Sequence, residues 1–60
     1  MTAAEVSAIR RRLGLSQSEL ARRLAVSTRA VQMWEQGRRR PGGPAVLILR
    51  NLAERPKERR

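Results

Sequence analysis

The 60-residue chain contains no cysteine, histidine, aspartate, phenylalanine or tyrosine, and it has a single tryptophan. Without cysteine or histidine it cannot build disulfide staples, thiol nucleophiles, Cys/His zinc sites or imidazole acid–base pairs. Carboxylates are also scarce, at 5 against 14 Lys+Arg. Glu5 and Glu19 fall at helix-start positions, while Glu54 and Glu58 lie in or near the basic C-terminal end. A paired-carboxylate hydrolase is therefore not expected. The reading is of a protein that is not an enzyme and uses no metal or organic cofactor. The longest uninterrupted apolar run, Ala45 to Leu49, falls well short of the ~20 residues that span a bilayer. No basic-then-apolar leader opens the chain. No membrane association is expected, and the expected location is the cytoplasm.

What is abundant is arginine. Thirteen arginines and one lysine give a formal net charge of +9 and a pI near 12.0. This balance implies a polyanionic partner. Hydrophobic content of 40% is ordinary for a globular domain and argues against disorder along the whole chain. The length accommodates one small domain, marginal in isolation unless its helices pack well or it oligomerises.

Helix signals recur at short intervals. Thr2 with Glu5 fits a capping box, and Val6, Ile9 and Leu13 mark one face of an amphipathic helix that Gly14 stops. Ser16 with Glu19 repeats the box ahead of Leu20, Ala21 and Leu24. Ala25-Val26-Ser27 must then turn, because Ser27 is a good N-cap for a helix from Thr28 onward. Val31 and Trp34 form the inward face of that third helix, which ends at Gly37. A basic loop from Arg38 to Gly43 follows. Pro44 suits the first position of a fourth helix running to about Glu54, and Pro56 stops it. No stretch alternates with period two. The chain reads as all-α, with residues 1–55 as one domain and 56–60 as a basic, frayed tail.

Residues 14 to 41 hold the informative pattern. Two short helices joined by a tight turn, the second opening with small polar residues, form a helix-turn-helix. Ala21 is small enough for the second helix to cross closely. Val26 can plug the gap between the two helices. Val31 and Trp34 anchor the second helix and leave Thr28, Arg29, Gln32 and Met33 pointing outward.

Over residues 5 to 55 the sequence resembles the Cro/C1-type (XRE) helix-turn-helix family of phage repressors and small bacterial regulators. The matching landmarks are Ile9-Arg10, Leu13 to Gln17, Glu19-Leu20-Ala21, Val26-Ser27, Val31, Trp34-Glu35, Gly37 and Pro41. The segment from Trp34 to Pro41, followed by Gly43-Pro44-Ala45, looks like short antitoxin-type and operon-autoregulating repressors. The resemblance implies a compact lambda-repressor-like domain of four helices, or five. It implies that Thr28, Arg29, Gln32 and Met33 reach base edges in the major groove, and that Gln17 contacts a phosphate and braces the recognition helix. Ser27 and the Arg38-Arg39-Arg40 loop are expected on the DNA backbone. Arg10 and Glu35 are expected to form a structural salt bridge.

The chemistry accommodates these roles. Arginine bonds guanine O6 and N7 bidentately, glutamine pairs with adenine, and a threonine methyl touches thymine. Met33 departs from the polar residues often found at its position, so its contact would be apolar. Each residue also has a plainer reading. Gln17 and Arg29 are compatible with solvated helix surface, Glu19–Arg23 with a weak surface pair, and Arg38 to Arg40 with an ordinary exposed loop. Trp34 in a basic protein invites base stacking, but its spacing from Val31 and the matching position in the family it resembles imply a core residue. Glu35, a lone acid, is better explained by Arg10 than by catalysis.

The fourth helix has more apolar residues than one face needs, since Val46, Leu47, Ile48, Leu49 and Leu52 cannot all point inward. Val46, Leu47, Leu49 and Arg50 are therefore expected at a homodimer interface, which would set two recognition helices about 34 Å apart. The expected function is sequence-specific binding of double-stranded DNA as a transcriptional repressor. No small-molecule effector is expected. One rival is an antitoxin whose main task is binding a toxin. Another is non-specific attraction to nucleic acid or anionic membrane through charge alone.

Overall fold

In a computed structural model, described over residues 1–54, the chain folds into four helices. These are α1 (Ala3–Arg12), α2 (Gln17–Leu24), α3 (Thr28–Glu35) and α4 (Gly43–Glu54). The expected tail, residues 56–60, lies outside the described residues. Among the described residues there is neither a strand nor a fifth helix.

The helix boundaries follow from local chemistry. The Thr2 and Ser16 hydroxyls accept from the backbone N–H groups of Glu5 and Glu19, at 3.2 and 3.0 Å. In return each glutamate carboxylate accepts from the cap residue's own N–H at 2.7 Å, completing both capping boxes. Ser27 caps α3 by accepting from Ala30 N at 3.1 Å. Because Ala30 occupies the third position of α3, that cap is not reciprocated.

The first three helices close in the same way. Gly14, Ala25 and Gly37 have φ of 71°, 57° and 78°, the left-handed conformation that turns the chain and satisfies terminal carbonyls. Around them Leu15 N donates to Arg10 O, Val26 N to Ala21 O and Arg38 N to Met33 O. Two of the three positions are glycine, for which this conformation carries no Cβ penalty. Ala25 adopts it without that freedom.

The fourth helix begins one residue earlier than expected, at Gly43, with Pro44 second. Val46 N donates to Gly42 O at 2.9 Å, which makes Gly42 the residue before the helix. The second position also lacks an intrahelical acceptor, so proline costs nothing there.

Val6, Ile9, Leu20, Ala21, Leu24, Val31, Trp34, Ala45, Leu49 and Leu52 form one core drawn from all four helices. The α2–α3 pair makes its most extensive contact, with α1 packed across α3 and α4. Ala21 is buried at the α2 crossing, and Val26 is half-buried beneath the turn. Trp34 is buried, so the tryptophan belongs to the core. Arg12 Nη1 donates to Ala53 O at 2.6 Å, tying the end of α1 to the last turn of α4.

One expectation for α4 is corrected. Leu49 is completely buried in the protomer's own core and is not available to a second subunit. The exposed apolar residues are Leu47, at 70% exposure, and Ile48, at 38%. The reason is helical phase: Ala45, Leu49 and Leu52 lie on the inward stripe at i, i+4 and i+7. Pro44, Leu47, Ile48 and Asn51 lie on the outward one and are all exposed.

Candidate DNA-binding surface

The recognition helix is held by a polar cluster around Glu35. Arg10 Nε donates to Glu35 Oε2 at 2.7 Å, and Arg10 Nη2 donates to Oε1 at 3.0 Å, a two-pronged pairing of guanidinium and carboxylate. Gln17 Nε2 donates to the same Oε1 at 3.1 Å. Arg10 Nη1 reaches Leu15 O at 3.1 Å. One carboxylate thus joins α1, the α1–α2 loop, the start of α2 and the end of α3. Both side chains of the ion pair are largely withdrawn from solvent, at 17% for Arg10 and 9% for Glu35.

The hydrogen bonds from Arg10, more than anything else, hold the Glu35 carboxyl below the usual carboxylate range. Burial opposes that shift, while Gln17, the Arg10 charge and the Ser7 hydroxyl reinforce it. Glu35 is anionic at neutral pH and fully engaged, which leaves it no role as an acid or base.

Ser7 was not anticipated from the sequence. It lies one turn before Arg10 on the same face of α1, and that i, i+3 spacing is the signal that connects it to the pair.

The four residues expected at base edges share the exposed side of α3 but divide within it. Thr28, at the first position of α3, is half-buried, and its Oγ1 donates to Ser18 Oγ at 3.5 Å across the gap to α2. Gln32 is exposed one turn further on the same side. Arg29 and half-buried Met33 face the other way. With Ser27, Ala30, Trp34, Arg39, Arg40 and Gly42 they line a groove of about 460 Å³ between α3 and the loop that follows it. Ser18 and this groove were both missed in the sequence, because each depends on how α3 meets a neighbour.

The loop itself is anchored. Arg38 N and Arg39 N both donate to Met33 O, at 3.0 and 3.4 Å, and Pro41 is buried. Arg38, Arg39 and Arg40 are exposed. Glu19, four residues before Arg23, is tied to Ser16. That bond, foremost, lowers its pKa, with smaller help from the charges of Arg22 and Arg23.

A short, tightly braced helix bearing an exposed polar face beside an arginine loop defines a DNA-binding domain of the helix-turn-helix class. The Helix-turn-helix family matches residues 6–54 of this sequence. The chain belongs to that family, in its Cro/C1-type branch of DNA-binding transcription regulators. A curated relative, Antitoxin HigA-2 of Vibrio cholerae serotype O1, is 38% identical over 52 residues, covering 87% of this chain. Those residues make up 50% of the relative, so the chain spans about half its length. No solved structure matches the chain significantly. Among the described residues, no helix is long and apolar enough to cross a membrane.

Proposed function

We propose that the protein is a transcriptional repressor that binds a two-fold-related operator as a homodimer and blocks transcription by occupancy. The observation that carries this reading is the bracing of α3 by the Arg10–Glu35–Gln17 cluster. It presents Thr28, Arg29, Gln32 and Met33 on a rigid element next to Arg38, Arg39 and Arg40. In this reading α3 enters the major groove, Thr28, Arg29, Gln32 and Met33 meet base edges, and the loop arginines meet phosphates. Gln17 and Ser27, at the starts of α2 and α3, are proposed to lie along the DNA backbone.

The homodimer is proposed to form through the outward side of α4. Leu47 and Ile48 supply the apolar contact, with Val46 and Arg50 at its margins. A two-fold contact there buries Leu47 and Ile48 of each protomer and pairs two recognition helices on one face of a duplex.

Selection of bound sites from random double-stranded DNA tests the reading. The expected result is an inverted repeat whose half-sites are centred about 10 base pairs apart. Enrichment of no common sequence would overturn it.

The likeness to an antitoxin supports a second reading, in which the protein also binds a toxin while regulating its own operon. Stoichiometric co-purification of a second protein from the native host would favour it.

A further inference from the structure

The groove between α3 and the following loop has an unusual composition. Three arginines, Arg29, Arg39 and Arg40, line it together, while its remaining wall includes Ala30, Met33 and Trp34. None of these three arginine side chains makes a hydrogen bond or ion pair among the described residues. This contrasts with Arg10, which is fully committed to Glu35 and Leu15. Glu35, the acid nearest in sequence, is occupied by Arg10 and Gln17 and does not neutralise the groove. Like charges gathered without a counter-charge repel one another, and an anion placed between them reverses the sign of that interaction.

We infer that this groove takes one sugar-phosphate strand of the duplex, with Arg29 acting on the backbone together with Arg39 and Arg40 rather than reading a base. The inference rests on the DNA-binding function proposed above and reassigns Arg29 and Met33 within it. The wall chemistry suits a nucleic acid strand. Its phosphates are spaced regularly between apolar sugar faces, and Met33 and Ala30 offer thioether and methyl surface between the cations. An acidic peptide would satisfy the charge but would not need the apolar wall.

The helical phase of α3 supports the same division. Residues 28 and 32 stand on the side facing α2, where Thr28 Oγ1 meets Ser18, whereas 29 and 33 line the groove with the loop. Discrimination between base pairs then falls to Gln32 and Thr28. Arg29 supplies sequence-independent affinity.

The test uses the full chain with two probes: a duplex recovered by selection and a random-sequence duplex of equal length. Arg29→Ala, Arg39→Ala and Arg40→Ala are compared with the parent over a series of salt concentrations, with circular dichroism confirming the fold of each. The expected result is that Arg29→Ala weakens binding to both duplexes by the same factor, as the two loop variants do. Each variant should also flatten the log–log salt slope by about 0.9 for every phosphate it no longer neutralises, hence about 1.8 for a dimer. If Arg29→Ala weakens only the selected duplex, Arg29 reads a base and the inference is overturned. It is equally overturned if none of the three changes affects either duplex. Failure of the parent to distinguish the two duplexes would instead overturn the proposed function itself.

Discussion

Gln17 Nε2 and Glu35 Oε1 lie 3.1 Å apart, so the first residue of α2 is hydrogen-bonded to the last residue of α3. The two helices of the motif are thereby fastened at the ends that their shared turn does not join. Arg10 completes the fastening from α1, donating to both oxygens of the same carboxylate. The recognition helix is thus held by its hydrophobic side, through Val31 and Trp34, and by its final carboxylate.

Severing that pair should cost more than the pair contributes. Arg10→Ala leaves Glu35 largely buried with only Gln17 and Ser7 as donors, and Glu35→Ala strands the guanidinium. Each should destabilise the fold by about 3 kcal/mol, at the lower edge for broken buried pairs because both groups keep some solvent contact. The double variant Arg10→Met/Glu35→Leu should recover most of the loss. Urea unfolding followed by Trp34 fluorescence measures all three, and a double variant as unstable as the singles would contradict the account.

Acid should weaken the protein in a defined direction. Hydrogen bonds from Arg10 lower the Glu35 carboxyl below its ordinary value of 4.5, and backbone hydrogen bonds to the caps lower Glu5 and Glu19. A lowered folded-state value means that the unfolded chain binds protons first as pH falls. The stability these groups confer is therefore fully present above about pH 5.5 and is lost as pH drops through their folded-state values. Unfolding midpoints should be level from pH 7 to that point and then decline. Glu35→Gln, which cannot titrate, should show a shallower decline.

Ala25 holds φ at 57° where glycine would be unstrained. The left-handed conformation costs a residue with Cβ about 1–2 kcal/mol, and glycine returns about 0.4–1 kcal/mol of that through its freer unfolded chain. Ala25→Gly should therefore raise stability by about 0.5 kcal/mol, or roughly 3 °C in Tm for a domain of this size. A fall in Tm on thermal denaturation would show that the Ala25 methyl contributes packing that outweighs the strain.

Neighbouring leucines of α4 should behave oppositely. Leu49→Ala, in the core, should cost about 2–5 kcal/mol of stability. Leu47→Glu, on a side chain 70% exposed, should leave monomer stability nearly unchanged. It should instead convert a dimer to a monomer in sedimentation equilibrium and weaken operator binding. Unchanged association of Leu47→Glu would place the dimer contact elsewhere.

Salt dependence reports how many phosphates are engaged. Four or five per protomer, from the loop arginines, the α3 groove and the start of α2, give a log–log slope of roughly −7 to −9 for a dimer. A slope near −2 would be incompatible with occupancy of two half-sites.

Much of this architecture was legible from residue order, because it is set by interactions a few residues long. Thr2, Ser16 and Ser27 cap helices through hydrogen bonds spanning three residues, and Gly14 and Gly37 stop helices through their own backbone freedom. Val31 and Trp34 declare an inward side by spacing alone. The Arg10–Glu35 partnership, 25 residues apart, came instead from resemblance to a family. Nothing in local spacing points to it.

Interfaces between elements were not legible. Leu47 and Leu49 are both leucines in one apolar run, and only the rotation of α4 against α1 and α2 decides which is core. Likewise Thr28 and Arg29 are adjacent in the chain, yet α3 turns one toward Ser18 and the other into the arginine-lined groove. Local hydrogen bonding and side-chain period determine helices from sequence. The relative rotation and distance of those helices come from the joint packing of all four, and these decide which arginines line the groove and which leucine of α4 stays exposed.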